Sequence, residues 1–254
     1  MAFNLAINND IAVITFDDGK VNAVGFDLIQ QFNDALDEAE QNAKAVVLHG
    51  GEGKFCGGFD LSVMKADDKA KQHELVSKGA ELIVRLYSFP LPVVVAAEGH
   101  SIAMGAIMLL AADLRIGKDA DTKYGLNETA IGMVLPPFGM ELAKARLANT
   151  SQTEALLFSR IYQGKEAVKA GFIDAAVPQE QVLATAMGYA EKLKMLPRQS
   201  FAESKIQLRK ETIEKMKCTG PKTSLLAMPG VGHCPGLTSS IEIDAIHNFL
   251  DGKD

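Results

Sequence analysis

Cysteine is scarce in this 254-residue sequence: Cys56, Cys218 and Cys234 are its only three. An odd, widely spaced set argues against a disulfide framework and shows no paired-ligand spacing for a metal. It fits reduced thiols in a cytoplasm. His49, His73 and His247 add no ligand spacing either, so no metal site is expected. An excess of basic charge is also lacking. Lys and Arg number 26 against 32 Asp and Glu, giving a net charge of −6 and a pI near 5.5. That balance argues against nonspecific nucleic-acid binding and against anionic membrane surfaces, while leaving room for a local basic patch. Long hydrophobic runs are missing too. The longest, residues 102–112, is too short to span a bilayer and reads as a buried helix. The opening MAFNLAINNDIAVITF has no basic stretch and is interrupted by Asn8, Asn9 and Asp10, so a signal peptide is not expected. No internal repeat and no low-complexity segment is visible. What is present is a hydrophobic content of 47%, enough for a sizeable core in one large domain or a domain plus an appendage. The expectation is a soluble, cytoplasmic globular protein.

The chain alternates strand and helix signals. NLAI and IAVITF flank a polar Asn-Asn-Asp turn and predict a hairpin. Phe26, Ile29, Phe32 and Leu36 recur at helical spacing, which predicts a helix to about residue 41. AVVLHG reads as a buried strand, GGEGKFCGGFD as a glycine-rich loop, and residues 69–88 as a helix. PLPVVVAAEG is a strand, IAMGAIMLLAA a buried helix after a tight turn, and DLRIG a short strand. Beyond Pro137 the pattern turns helical, over residues 138–147, 151–159, 165–170 and 179–195. FAESKIQLRKETIEKMK adds an amphipathic helix, and SIEIDAIHNFL a last short one after a tail broken by Gly and Pro. The pattern implies a largely parallel α/β core over residues 1–195, with functional loops at strand ends, and a helical C-terminal region over residues 196–254.

Three segments are candidates for chemistry. In GKFCGGFDLSVM, glycines let a ligand approach backbone amides closely, or simply make a turn into a helix that Asp60 starts. In VVVAAEGHSIAMGAIMLLAA, the Met104 and Gly105 amides would lie near a helix N-terminus, where free N–H groups favour negative charge. Plain α/β packing explains that segment equally well. In YGLNETAIGM, Glu128 stands alone among apolar neighbours, where desolvation would raise its pKa and suit it to acid/base work near neutrality. His100 and Ser101 fit turn chemistry, and Asp113 the start of a strand.

Together these segments resemble the crotonase superfamily of enoyl-CoA hydratases and isomerases, from about residue 3 to about residue 210. FCGGFDL is similar to the family loop F-x-x-G-[AF]-D-[IL], which places one oxyanion-binding N–H on Phe59. EGHSIAMGAI, laid over N-G-x-x-x-G-G-G-x-E, places the other on Met104. DGKVNAVG looks like the stretch that touches coenzyme A around Lys20, Val21 and Ala23. The resemblance further implies a substrate site lined by Cys56, Gly58, Phe59, Asp60, Leu61, Met104, Gly105 and Ile107. It implies an α/β fold with a ββα superhelical core, an acyl-CoA thioester substrate, no separate cofactor, and a homotrimer or dimer of trimers. Family hydratases use two glutamates. The second corresponds to Glu128, but the first falls on Ile107, beside Met108, and a hydrocarbon cannot transfer a proton. GLNET looks like the mitochondrial-type Δ3,Δ2-enoyl-CoA isomerases, which keep one glutamate.

Other readings stay open on sequence. Glu141 lies near the LPPFG bend as a substitute acid for a hydratase. A non-catalytic acyl-CoA binder would keep the hole without turnover. A serine α/β-hydrolase would use GHSIA as a nucleophile elbow, with Ser101, Asp174 and the His233 of GVGHCPG in that order.

Overall fold

The computed structural model describes residues 2–51, 53–119 and 121–218. The chain opens with antiparallel strands β1 (Ala2–Asn8) and β2 (Ile11–Asp17), joined by Asn9 and Asp10 at φ of 50° and 62°. Positive φ at both positions is what a two-residue hairpin turn demands, and Asn and Asp tolerate it. Then come α1 (Phe26–Asn42), β3 (Ala45–Gly50), β4 (Gly53–Cys56), α2 (Leu61–Met64) and α3 (Lys69–Ser88). They are followed by β5 (Val93–Ala97), β6 (Gly99–Ile102), α4 (Met104–Ala111), β7 (Leu114–Lys118) and β8 (Tyr124–Gly125). The remainder is mostly helical: α5 (Pro137–Arg146), α6 (Gln152–Leu156), α7 (Gly164–Ala170), β9 (Ala175–Val177), α8 (Gln179–Leu193) and α9 (Arg198–Cys218).

Six strands form the main sheet in the order β1-β2-β3-β5-β7-β9, parallel from β2 onward. Its centre explains the unbroken apolar runs: VVVAA of β5 is buried throughout because both faces are covered. One face carries the large core. There Phe32 of α1 meets Phe16 edge-on at 5.0 Å, and Phe16 meets Phe55 of β4 at 5.3 Å. Each such ring contributes about 2–3 kcal/mol by burial. Val182, Ala186 and Ala190 of α8 cover the other face against Val47, Val94, Ala96 and Ile116.

Strands β4, β6 and β8 form a second, parallel sheet in that order. This corrects the reading of GGEGKFCGGFD as loop alone and of GHSI as a turn. Strands of four and two residues, GKFC, GHSI and YG, are too short to carry a detectable alternation. The two sheets reveal three successive ββα units: β3-β4-α3, β5-β6-α4 and β7-β8-α5. Each sends its first strand to the large sheet and its second to the small one, which is the crotonase-type superhelical core. The expected helix over residues 151–159 narrows to α6. Its chain then leaves through Ser159 at φ 52°, outside helical geometry. Strand β9 was not anticipated.

Helix α9 docks by charge as much as by apolar contact. Asp113, between α4 and β7, accepts from the Val93 amide (2.7 Å) and pairs with Lys205 (2.7 Å) and Arg209 (2.9 Å) of α9. No described helix is long and apolar enough to cross a membrane. The side chain of Cys218, together with Cys234, His233, His247 and the expected helix at SIEIDAIHNFL, lies outside the described residues.

Candidate active site

In parallel α/β sheets, ligands gather beyond the carboxyl ends of the strands. The small sheet places the three candidate groups there. Phe59 follows β4, Met104 follows β6, and Glu128 follows β8, with β6 in the middle.

The Phe59 turn is stitched to residues 21–24. The Val24 amide donates to Gly58 O (2.8 Å), Asp60 N donates to Val24 O (3.0 Å), and Gly57 N donates to Val21 O (2.8 Å). Bonds from either side of Phe59 point to Val24, so strand alternation aims the Phe59 N–H the opposite way. Met104 is the first residue of α4, where amides have no helical acceptor. Among the described residues, neither the Phe59 nor the Met104 amide donates to a backbone carbonyl. The two turns lie against each other: a Cβ built on Gly58 would stand 3.4 Å from the Ala103 Cβ. Ala103 itself is held at φ 52°, ψ −121°, a conformation natural to glycine. Strain of roughly 1–3 kcal/mol therefore sits between the two amides. It is held by Ala103 N donating to Gly125 O and Ile107 N donating to Ala103 O, both at 3.0 Å. Gly105 packs so closely on β4 that a Cβ would meet the Cys56 carbonyl oxygen at 2.0 Å.

Glu128 is the only buried acidic residue among the described residues. Its Oε2 has no partner, and desolvation pushes its pKa up to about 7, against a slight opposing pull from its own amide. The turn that carries it is tied to the α6 region by Thr129 Oγ1 donating to Leu156 O (3.2 Å) and Ala130 N donating to Ser159 Oγ (3.0 Å). Neighbouring Asn127 also presents a buried, unpartnered Oδ1. Ile107, where a second carboxylate would stand, is buried against Leu135 and the bare face of Gly139.

The other expected site residues divide by what they present. Lys20, Val21 and Leu61 are exposed around the Phe59 turn, and Ala23 is half-buried. Asp60 caps α2, its Oδ1 accepting from Ser62 N at 2.8 Å. Cys56 offers backbone only: its thiol is fully buried and desolvation pushes it up to about 12. Sequence reasoning missed Asn22 and Asp18. Asn22 Nδ2 donates to the carbonyls of Phe16 (3.2 Å) and Phe55 (3.1 Å), which locks the 18–25 loop onto β4. Burial opposes ionisation of Asp18, yet the amides of Asn22, Lys20 and Ala23 outweigh it and hold its pKa below the ordinary value. A signal was available, since Asp-Gly and Asn mark turns made by side-chain bonds. Asn22→Ala is expected to cost about 3 kcal/mol, by orphaning two buried carbonyls and placing Ala at φ 54°. Urea unfolding checks this, with a midpoint equal to wild type contradicting it.

The rival groups are committed elsewhere. Glu141 pairs with Lys144 at 2.9 Å. Ser101 is enclosed within β6 with its Oγ donating to Gly99 O (3.3 Å), not raised on an elbow. Asp174 is bound by Arg115.

Fold and strand-end chemistry place the chain among the crotonase-type acyl-CoA enzymes. It belongs to the enoyl-CoA hydratase/isomerase family, whose model matches residues 6–223. It is 30% identical over 211 residues to rat mitochondrial enoyl-CoA delta isomerase 1, covering 81% of this chain and 73% of that protein. Among solved structures, an apo enoyl-CoA isomerase from Mycobacterium tuberculosis superposes with a TM-score of 0.82 at 34% identity, over 85% of this chain and 95% of that one. An enoyl-CoA hydratase from Mycobacterium marinum gives 0.82 at 36%, over 87% and 96%.

Proposed function

We propose that this protein is an enoyl-CoA isomerase that moves a C3 double bond to C2 with Glu128 as its single acid/base. The observation that carries the reading is that Glu128 is the one buried carboxyl among the described residues, while Ile107, where the family resemblance puts a second carboxylate, is hydrocarbon. Hydration needs one group to activate water and another to protonate carbon. A double-bond shift needs one group that takes a proton and returns it elsewhere. Glu128 carboxylate removes the C2 proton of a 3-enoyl thioester. The Phe59 and Met104 amides hold the dienolate oxygen, each worth roughly 3–4 kcal/mol in the transition state. The protonated carboxyl then delivers the proton to C4. A carboxyl balanced near neutrality suits both halves of that cycle. The thioester supplies the carbon acidity.

The test is product analysis of purified protein given a 3-enoyl-CoA or a 2-enoyl-CoA. The expected result is conversion of the first to the conjugated isomer without change of mass. Addition of water to the second, at a higher rate than any isomerisation, would make the protein a hydratase. Tight binding of both without turnover would make it a silent binder.

A further inference from the structure

Gly79 has no helical reason for its place. It lies in the interior of the 20-residue helix α3, where glycine costs about 1 kcal/mol relative to alanine. What occupies the vacated space is the Phe59 ring. A Cβ on residue 79 would stand 2.6 Å from both Cε1 and Cζ of Phe59, and 3.3 Å from Cε of Met104. The side chains of both candidate amide donors therefore converge on one notch in one helix. The Phe59 backbone is fixed on its far side by the bonds to Val24, and Met104 is 1% exposed.

We infer that Gly79 is a positioning residue for the oxyanion hole: its notch seats the Phe59 ring and the tip of Met104, and so sets where the two amides point. A rigid ring on two rotatable bonds passes a displacement on to its own backbone. Misplacement of a reacting group by about 1 Å is worth up to about 100-fold in rate. The inference deepens the isomerase reading and rests on it for the substrate and for the two amides that hold its oxygen.

Two readouts test it. One is the infrared carbonyl band of a 2-enoyl-CoA carrying 13C at the thioester carbon, bound to protein that also carries Glu128→Gln to prevent turnover. The other is kcat and KM for a 3-enoyl-CoA with Glu128 intact. Gly79→Ala is expected to move the band back toward its frequency in water, and to lower kcat about tenfold with KM changed less than about twofold. Gly79→Ala in a Phe59→Ala background is expected to lose most of its effect, because the ring met at 2.6 Å is gone and only the flexible tip of Met104, at 3.3 Å, remains. Phe59→Trp, which overfills the notch with α3 untouched, is expected to reproduce the Gly79→Ala effect. A band and kcat unchanged by Gly79→Ala would overturn the inference. So would a loss that persists in full when the ring is removed, since that marks a fault in α3 itself. A strongly shifted band in wild type without isomerisation would leave the notch standing and remove the isomerase assignment.

Discussion

Glu128→Gln is expected to lower kcat/KM for a 3-enoyl-CoA by about 10³–10⁴-fold, the upper range for a positioned proton-transfer group. The effect is this large because no other described carboxyl is buried, and Ile107, where the resemblance puts a second one, is aliphatic. KM should change little, because the amide keeps the shape and bulk of the carboxyl. In the proposed mechanism, the carboxylate is the form that abstracts the proton. Its pKa of about 7 predicts a kcat/KM that rises with pH and levels off above neutrality. A flat profile between about pH 5 and pH 8 would remove Glu128 as the base.

The same shift has a stability consequence of definite sign. The folded-state pKa is raised from 4.5 to about 7, so the native state binds more protons than the unfolded chain across that window. Stability from this group therefore falls as pH rises through it. Above pH 7 the ionised, buried carboxylate destabilises the fold by about 3 kcal/mol, from 1.36 kcal/mol per pKa unit. Glu128→Gln removes that penalty. The variant should unfold later than wild type at about pH 8 and at nearly the same point at about pH 4.5, measured by urea titration. Loss of turnover together with gain of stability would be hard to produce by a general folding defect.

Asp113→Ala is expected to destabilise the protein by about 3–5 kcal/mol, with a fall in Tm of roughly 10 °C or more. The carboxylate satisfies Lys205, Arg209 and the Val93 amide at once, and both cations are at most 7% exposed. The surroundings supply little else to neutralise them. Arg146 lies close enough that burial and the nearby Arg115 and Arg209 charges push its pKa down to about 10. Burial, with the Arg209 and Arg146 charges, also lowers Lys205 to about 8, against the pull of Asp113. Removing the carboxylate leaves charge stranded at the junction of α9 with the rest of the fold. The control is Lys44→Ala, which breaks an exposed pair with Asp10 (2.8 Å) from the side that carries no backbone strain and should leave the melting point nearly unchanged. Equal melting shifts for the two variants would contradict the argument.

Much of this was readable in the chain. The hairpin, the buried strands β3 and β5, the apolar helix α4 and the helical remainder are long or strongly patterned, and their periods survive tertiary context. Glu128 was legible because a charged residue in an apolar setting stands out. The small sheet was not legible, although it organises the site. Its strands are two to four residues long, and their pairing partners lie 23–46 positions away. The ββα repetition was hidden for a related reason. The units share backbone path, while their helices range from the 8 residues of α4 to the 20 of α3, so no sequence period results. Asn22 escaped notice because its importance lies in two carbonyls it reaches, one of them 33 residues away. The motifs carried the resemblance, and the backbone bonds around Phe59 and Ala103 explain how those two turns are held.

The small sheet also makes the site separable. Each chemical group rides on the end of its own strand, and the strands are registered by backbone bonds that no side chain contributes. One group can then be exchanged without dislodging the others. The hydrocarbon at Ile107 is compatible with intact neighbours for that reason: α4 keeps its amide in place whatever its second turn carries. In such a scaffold the reaction catalysed becomes a matter of which strand ends are armed, decided one position at a time.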